Sequence, residues 1–370
     1  MTETYLPAGP DTVRWGWVAG AGSEPVLSVT SGTVVTVDTV SHEGILADQG
    51  RDPVAYFAGH GVPPEQVLDD TIAVAASDLA NDPAVDGPHV ITGPIAVEGA
   101  EPGDVVIVEV LELSLRVPYG VISNRHAKGC LPDELPARGA DGSCPAVVSR
   151  FATVHGSSAG RFAIIDGGRV DGSGQAASGG GSPGMPTGRS RRGRGLALPL
   201  RPFLGLVAVG PADADAHSVP PGPHGGNLDV RLLGVGSRLH LPVRCPGALV
   251  QIGDPHFAQG DGEVALTALE GPLRAVLRLE LAKSACPSWD LPFGETDDAW
   301  VLLGLHRDLN EAVRIATRAA IALVTERTGV DRATAYAWLS AAADLSISQV
   351  VDDVKGVHFQ VPKAWLEAVW

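Results

Sequence analysis

Two glycine-flanked stretches concentrate the side chains able to do chemistry. PPGPHGGNLD places His224, Asn227 and Asp229 within six positions, and GDPHFAQGDGE places Asp254, His256, Gln259, Asp261 and Glu263 within ten. Two imidazoles with several carboxylates are the donor set of a hydrolytic divalent-metal site, which generally keeps one position open for water. Asp254 and His256 are two residues apart, so on a strand both side chains face the same side. A bound cation lowers the pKa of water toward neutrality, and a neighbouring carboxylate can take the proton. Glu263 is the first choice for that base and Asp261 the second. The Gly225-Gly226 and Gly260/Gly262 placements let the backbone turn sharply and approach a ligand closely. Such strings also occur in ordinary loops as turn formers, so it is the pair of clusters that points to a site.

Other candidates are weaker. Gly156-Ser157-Ser158-Ala159-Gly160 matches the G-x-S-x-G elbow of serine hydrolases, but that motif needs a helix directly after the serine and RFAIID (161–166) reads as a strand. Cys130 lies near Lys128 and Cys286 near Lys283, a hint of a thiol amidase without an accompanying glutamate signature. SNRHAKG brings Arg125, His126 and Lys128 onto one loop that can line a substrate pocket. His42, His60, His155, His217, His240, His306 and His358 read as structural or exposed.

The elements that must position these residues are mostly strands. VLSVTSGTVVTVDTV (26–40) is rich in β-branched residues and broken at Ser31-Gly32, as in a hairpin. DVVIVEVLELSL (104–115), RLHLPVRCPGALVQIG (238–253) and ALTALEGPLRAVLRLEL (265–281) continue the pattern, with frequent turn signals between them. A sandwich or barrel is expected rather than βαβ repeats. Near residue 308 the period changes. Asp308 and Glu311 form a capping box, apolar positions recur at helical spacing through Leu323, and Gly329 ends the helix. A second helix follows Asp331 and ends before Asp344; this pair lacks basic character and reads as packed on a sheet. The expected organisation is an N-terminal β-sandwich part (1–170), a mobile Gly/Ser/Arg-rich loop (171–200), a β unit carrying both clusters (201–300) and a helical or α+β part (301–370).

Composition narrows the function. The chain has 370 residues with 44% hydrophobic and 19% charged side chains, enough to bury a sizeable core. Acids outnumber bases by 43 to 27, a formal charge of −16 that repels nucleic-acid phosphates and anionic lipid. The four cysteines, 130, 144, 245 and 286, include no C-x-x-C pair, which excludes a thiolate zinc knuckle and a small disulfide scaffold. With no signal-like start and no apolar run of bilayer length, a cytoplasmic protein with reduced thiols and no membrane partner is expected.

These residues resemble the acetamidase/formamidase family of amide hydrolases. HVITGPIAVEGAEPGDVVIVEVLEL (89–113), the HGGNLD and GDPHFAQGDGE pair, and the tail from RIATRAAIALV to KGVHFQVPK are all similar to family blocks, so the likeness covers nearly the whole chain. It departs at 170–195, longer and richer in Arg and Gly than the family pattern. The resemblance implies a mainly β fold with a C-terminal α+β portion: a jelly-roll-like sandwich and a smaller barrel-like unit. It implies cleavage of a small amide substrate, of the formamide or acetamide type, to a carboxylic acid and ammonia by a cytoplasmic homo-oligomer. By motif it makes His224, Asp229, Asp254 and His256 ligands of a divalent metal, zinc first with calcium or manganese as alternatives, and Glu263 the general base. Asn227 is then placed to stabilise the oxyanion and Asp261 to orient a ligand histidine. A cupin-like metal oxygenase or isomerase and a non-catalytic β-sandwich ligand-binding protein are the competing readings.

Overall fold

The computed structural model describes residues 4–139, 141–157, 160–166 and 195–366. Two large sheets dominate it. The first has nine strands in the order Thr4–Leu6, Thr33–Asp38, Leu273–Ala282, Val105–Leu115, Arg238–Pro242, Phe293–Glu295, Ala299–His306, Lys355–Pro362 and Asp344–Gln349. The second has eleven strands, with the fully buried Val250–Ala258 pairing Phe203–Ala208, Leu269–Glu270 and Val90–Val97. Their apolar faces share one core: Val35, Val37, Val108 and Leu277 from the first sheet join Leu204, Val207, Val250 and Ile252 from the second. Leu273–Ala282 shows why, since Leu273, Ala275, Leu277 and Leu279 are buried while Arg274 is exposed, the two-residue period of a strand with one face covered.

The mainly β expectation with a C-terminal α+β portion holds. Each sheet runs between open ends, and no closed barrel forms among the described residues. Both large sheets interleave strands from before residue 170 and after residue 200, so their core is common to the two segments. The expected mobile loop lies largely outside the described residues; within its range Leu196–Pro199 is a strand paired with Gly160–Ile165. The hairpin expected at 26–40 is absent. Leu27–Val29 pairs with Val90–Val97 in the second sheet, whereas Thr33–Asp38 pairs with Leu273–Ala282 in the first, so Ser31-Gly32 carries the chain between sheets.

The helix Leu309–Thr328 begins and ends as its caps dictate. Asp308 accepts a hydrogen bond from the Glu311 N–H at 3.0 Å, and Gly329 takes φ 73° at the C-terminal cap. Its buried alanines, Ala312, Ala316, Ala319 and Ala320, let it lie close on Ala299–His306. A second helix, Arg332–Ala342, capped by Asp331, leads into the edge strand Asp344–Gln349. That strand reaches the site: the Gly262 N–H donates to the Ser348 carbonyl at 3.0 Å, and Asp352 follows in the next turn. No described helix is long and apolar enough to cross a membrane.

Candidate active site

Strand pairing brings the two clusters together. Phe203–Ala208 lies between Gly225–Asn227 on one side and Val250–Ala258 on the other. Gly205 is the point of closest approach. A Cβ built there would stand 2.4 Å from an Asp254 carboxylate oxygen, 2.5 Å from one of Asp229 and 2.8 Å from the His256 ring. Only a residue without a side chain allows these three groups to converge. Asp229, Asp254 and Glu263 also sit at φ of 49°, 50° and 46°, a left-handed backbone uncommon for non-glycine residues and frequent at functional sites.

Three overlapping groups of donors result, each with ligand atoms within 4.8 Å of one another: His42, His89 and Asp254; Asp229, His256 and Glu263; and Asp254, His256 and Glu270. All seven residues are buried. His256 Nε2 lies 2.8 Å from Asp254 and 3.1 Å from Glu270, and Asp254 Oδ1 lies 3.6 Å from His42 and 3.8 Å from His89. Asp352, also buried, lies against Asp229 and the Asn227 side chain.

The orientation of His256 follows from Gln259. The Gln259 amide nitrogen donates to the carbonyls of Asp229 (2.9 Å) and Ser348 (3.2 Å), which leaves its oxygen to face His256 Nδ1 at 3.1 Å. Nδ1 is therefore the donor, and Nε2 points into the carboxylates, the arrangement in which an outer partner sets the tautomer of a ligand histidine.

So many buried acids cannot all ionise unaided. Burial foremost, reinforced by the neighbouring charges of Asp352 and Asp254, drives the pKa values of Asp229 and Glu263 well above their ordinary values, and Asp352 is pushed up to about 7. Glu270 is raised by burial and by Asp254. Asp254 is the exception: although burial opposes its charge, His256, His89 and His42 surround it and hold its pKa low. Burial disfavours the His256 cation, yet Asp254 and Glu270 outweigh it and raise its pKa. His89 is pushed down to about 4, chiefly by burial. Both oxygens of Asp229, Asp254 Oδ1, Glu263 Oε2, Glu270 Oε2 and His42 Nδ1 are buried without a hydrogen-bond partner. Buried polar atoms are normally paired, and a group of them aimed at common points fits a cation.

The cluster forms part of the lining of a pocket of about 730 Å³. Asn227, Arg125 and Lys128 also line it, so two residues of the SNRHAKG loop do face a cavity. His126 instead sets its Nδ1 2.9 Å from Cys144 Sγ. Arg125 is held by Glu43 (2.9 Å) and Asp48 (2.7 Å).

Of the residues singled out by sequence, Asn227, Asp229, Asp254, His256 and Glu263 come together. His224 joins none of the donor groups among the described residues. Its ring packs on Gly222 and Gly226, and burial with the nearby Arg244 charge pushes its pKa down to about 4. Asp261 turns to the surface, where it takes both Nε and Nη2 of Arg231 at 2.7 and 2.9 Å. It is Gln259 that meets His256. Four members of the site escaped sequence reasoning: His42, His89, Glu270 and Asp352. His89 and Glu270 stand in apolar stretches, while His42 adjoins Glu43 in SHEG and Asp352 adjoins Asp353 in VVDD. The G-x-S-x-G string falls at the meeting of two antiparallel strands, Val147–Ser157 and Gly160–Ile165, with Ser158 and Ala159 outside the described residues.

The acetamidase/formamidase family model matches residues 65–140 and 206–291, which include Asn227, Asp229, Asp254, His256, Glu263 and Glu270. An acetamidase of Mycolicibacterium smegmatis is 30% identical over 209 residues, 48% of this chain and 49% of that protein. A formamidase of Methylophilus methylotrophus is 29% identical over 206 residues, 48% and 47% of the two chains. This chain thus spans about half the length of the curated relatives it matches. The crystal structure of an acetamidase from Bacillus halodurans superposes with a TM-score of 0.70 at 23% identity over 98% of both chains, a likeness of fold. The two matched segments and the shared fold make this chain similar to the acetamidase/formamidase family.

Proposed function

We propose that this protein hydrolyses a linear amide to a carboxylic acid and ammonia with the aid of a divalent cation. The observation that carries the reading is the set of unpartnered carboxylate and imidazole atoms converging beside a pocket. The acetamidase and formamidase names of its relatives support the choice of amide bond.

Asp254, His256 and Asp229, with His42, His89 and Glu270 completing the overlapping groups, would hold the cation. Mixed oxygen and nitrogen donors suit zinc, with manganese or calcium as alternatives. When bound, such an ion supplies Lewis acidity toward a carbonyl oxygen and eases deprotonation of water. The remaining chemistry belongs to the chain. Glu263, which lines the pocket beside Asp229 and His256, would accept the proton of the attacking water at a carboxylate oxygen. The Asn227 amide has two N–H donors, so one can serve Asp352 and the other the oxyanion that forms as the new C–O bond is made. Glu263 then returns the proton to the nitrogen, the C–N bond breaks and ammonia leaves. Gln259 keeps His256 in the tautomer the site requires.

A cytoplasmic location and a homo-oligomeric assembly go with this reading; four unbridged cysteines suit a reducing compartment. The test is ammonia release from formamide, acetamide and longer amides before and after chelation. Release that chelation abolishes and added cation restores is expected. No ammonia from any amide would overturn the hydrolase assignment and favour a ligand-binding role.

A further inference from the structure

We infer that the pocket is built for an amide bearing a sizeable apolar substituent, with formamide and acetamide as poor substrates; this rests on the hydrolase reading above. Acetamide has only four non-hydrogen atoms, whereas cavities of roughly 300–1,000 Å³ ordinarily enclose ligands of drug size. The pocket here measures about 730 Å³. Its chemistry is divided. His42, His89, Asp254 and Glu270 form a buried polar region, while Leu46, Pro83, Val85, Val219, Leu266 and Val351 supply apolar lining. That lining runs from Leu46, 8% exposed, out to Val85, 61% exposed, so it extends from the interior to the protein surface. Leu266 lines the pocket from φ 107°, three residues after Glu263, a conformation uncommon for leucine. Of the charged groups that also line the pocket, Arg125 is engaged by Glu43 and Asp48, Asp86 by the Trp17 indole N–H and Asp353 by Arg307, while Lys128 makes no ion pair among the described residues. The apolar stretch of the lining therefore suits an apolar substituent.

A one- or two-carbon amide leaves the apolar lining facing water and gains no remote contacts with which to orient the carbonyl. A longer acyl chain gains about fourfold in binding for each methylene buried. The experiment measures kcat/KM for ammonia release along acetamide, butyramide, hexanamide and phenylacetamide, together with calorimetric binding of the same amides to the cation-loaded protein. A rise of about fourfold per methylene through hexanamide is expected, with tighter binding in parallel. Val85→Asp is expected to lower the hexanamide-to-acetamide ratio at least tenfold; because Val85 is largely exposed, the variant should fold. Val219→Asp is a second variant with the same expected loss. Turnover of formamide and acetamide with no gain for longer amides would overturn this inference and leave the hydrolase reading standing. If no amide releases ammonia, the hydrolase reading fails, and binding alone decides: hexanamide tighter than acetamide upholds the pocket assignment, equal or undetectable binding overturns it.

Discussion

Replacing Glu263 with Gln is expected to lower kcat by two to four orders of magnitude, the usual worth of a positioned general base. Glutamine preserves shape and can still fill the space between Asp229 and Asp352, but it cannot take up a proton. The variant should not be less stable. In the parent, burial and the charges of Asp352, Asp254 and Glu270 all favour the neutral form of Glu263, which a glutamine mimics. A fall in kcat with unchanged cation content and an unchanged or higher Tm would establish the proton-transfer role. Because Glu263 also belongs to one donor group with Asp229 and His256, the opposite result is informative: loss of cation with the activity would make it a ligand. An unaffected rate would remove it from the mechanism.

Gly205→Ala adds one methyl group and is expected to damage the site more than many larger surface changes. The new carbon would meet two carboxylate oxygens and the His256 ring at 2.4–2.8 Å, distances that real Cβ atoms do not adopt, so Asp229, Asp254 and His256 must move apart. Leu206 and Leu204, its neighbours, are buried in strand pairings on both sides, which prevents the backbone from yielding freely. Cation affinity should fall roughly 10–100-fold, the cost typical of disturbing groups that orient metal ligands, and kcat/KM by about 100-fold. Overpacking of this kind costs about 1–3 kcal/mol of stability. Titration calorimetry against zinc, beside thermal unfolding, measures both. Parent-like affinity in the alanine variant would mean that the three groups do not act on one ion.

The clusters around HGGNLD and GDPHFAQGDGE were visible because several polar residues crowd into short glycine-flanked strings, where local spacing carries meaning. His42, His89, Glu270 and Asp352 were not, since none lies in a crowded glycine-flanked string and each enters the site only through sheet pairing and the turn after Asp344–Gln349. A single histidine beside apolar strands has the same local appearance whether it serves packing or a ligand. Gly205 was equally silent: FLGLV reads as a buried strand, and its role depends on what lies across the sheet. Spacing alone also does not say where Asp261 and His224 point. Both lie in the right strings, yet Asp261 follows a turn outward to Arg231, and His224 precedes the strand that carries Asn227 inward. The helices were legible from Asp308, Gly329 and Asp331, because capping is a local hydrogen-bonding problem. The break at Ser31-Gly32 was not, because a hairpin and a crossover between sheets use the same turn residues.

Elemental analysis of the purified protein beside its His256→Ala variant tests the central claim most directly. At least one divalent cation per chain is expected in the parent, removable by chelation, and a substantially lower content in the variant. Parent protein free of metal that hydrolyses amides at a rate unchanged by added zinc, manganese or calcium would contradict it.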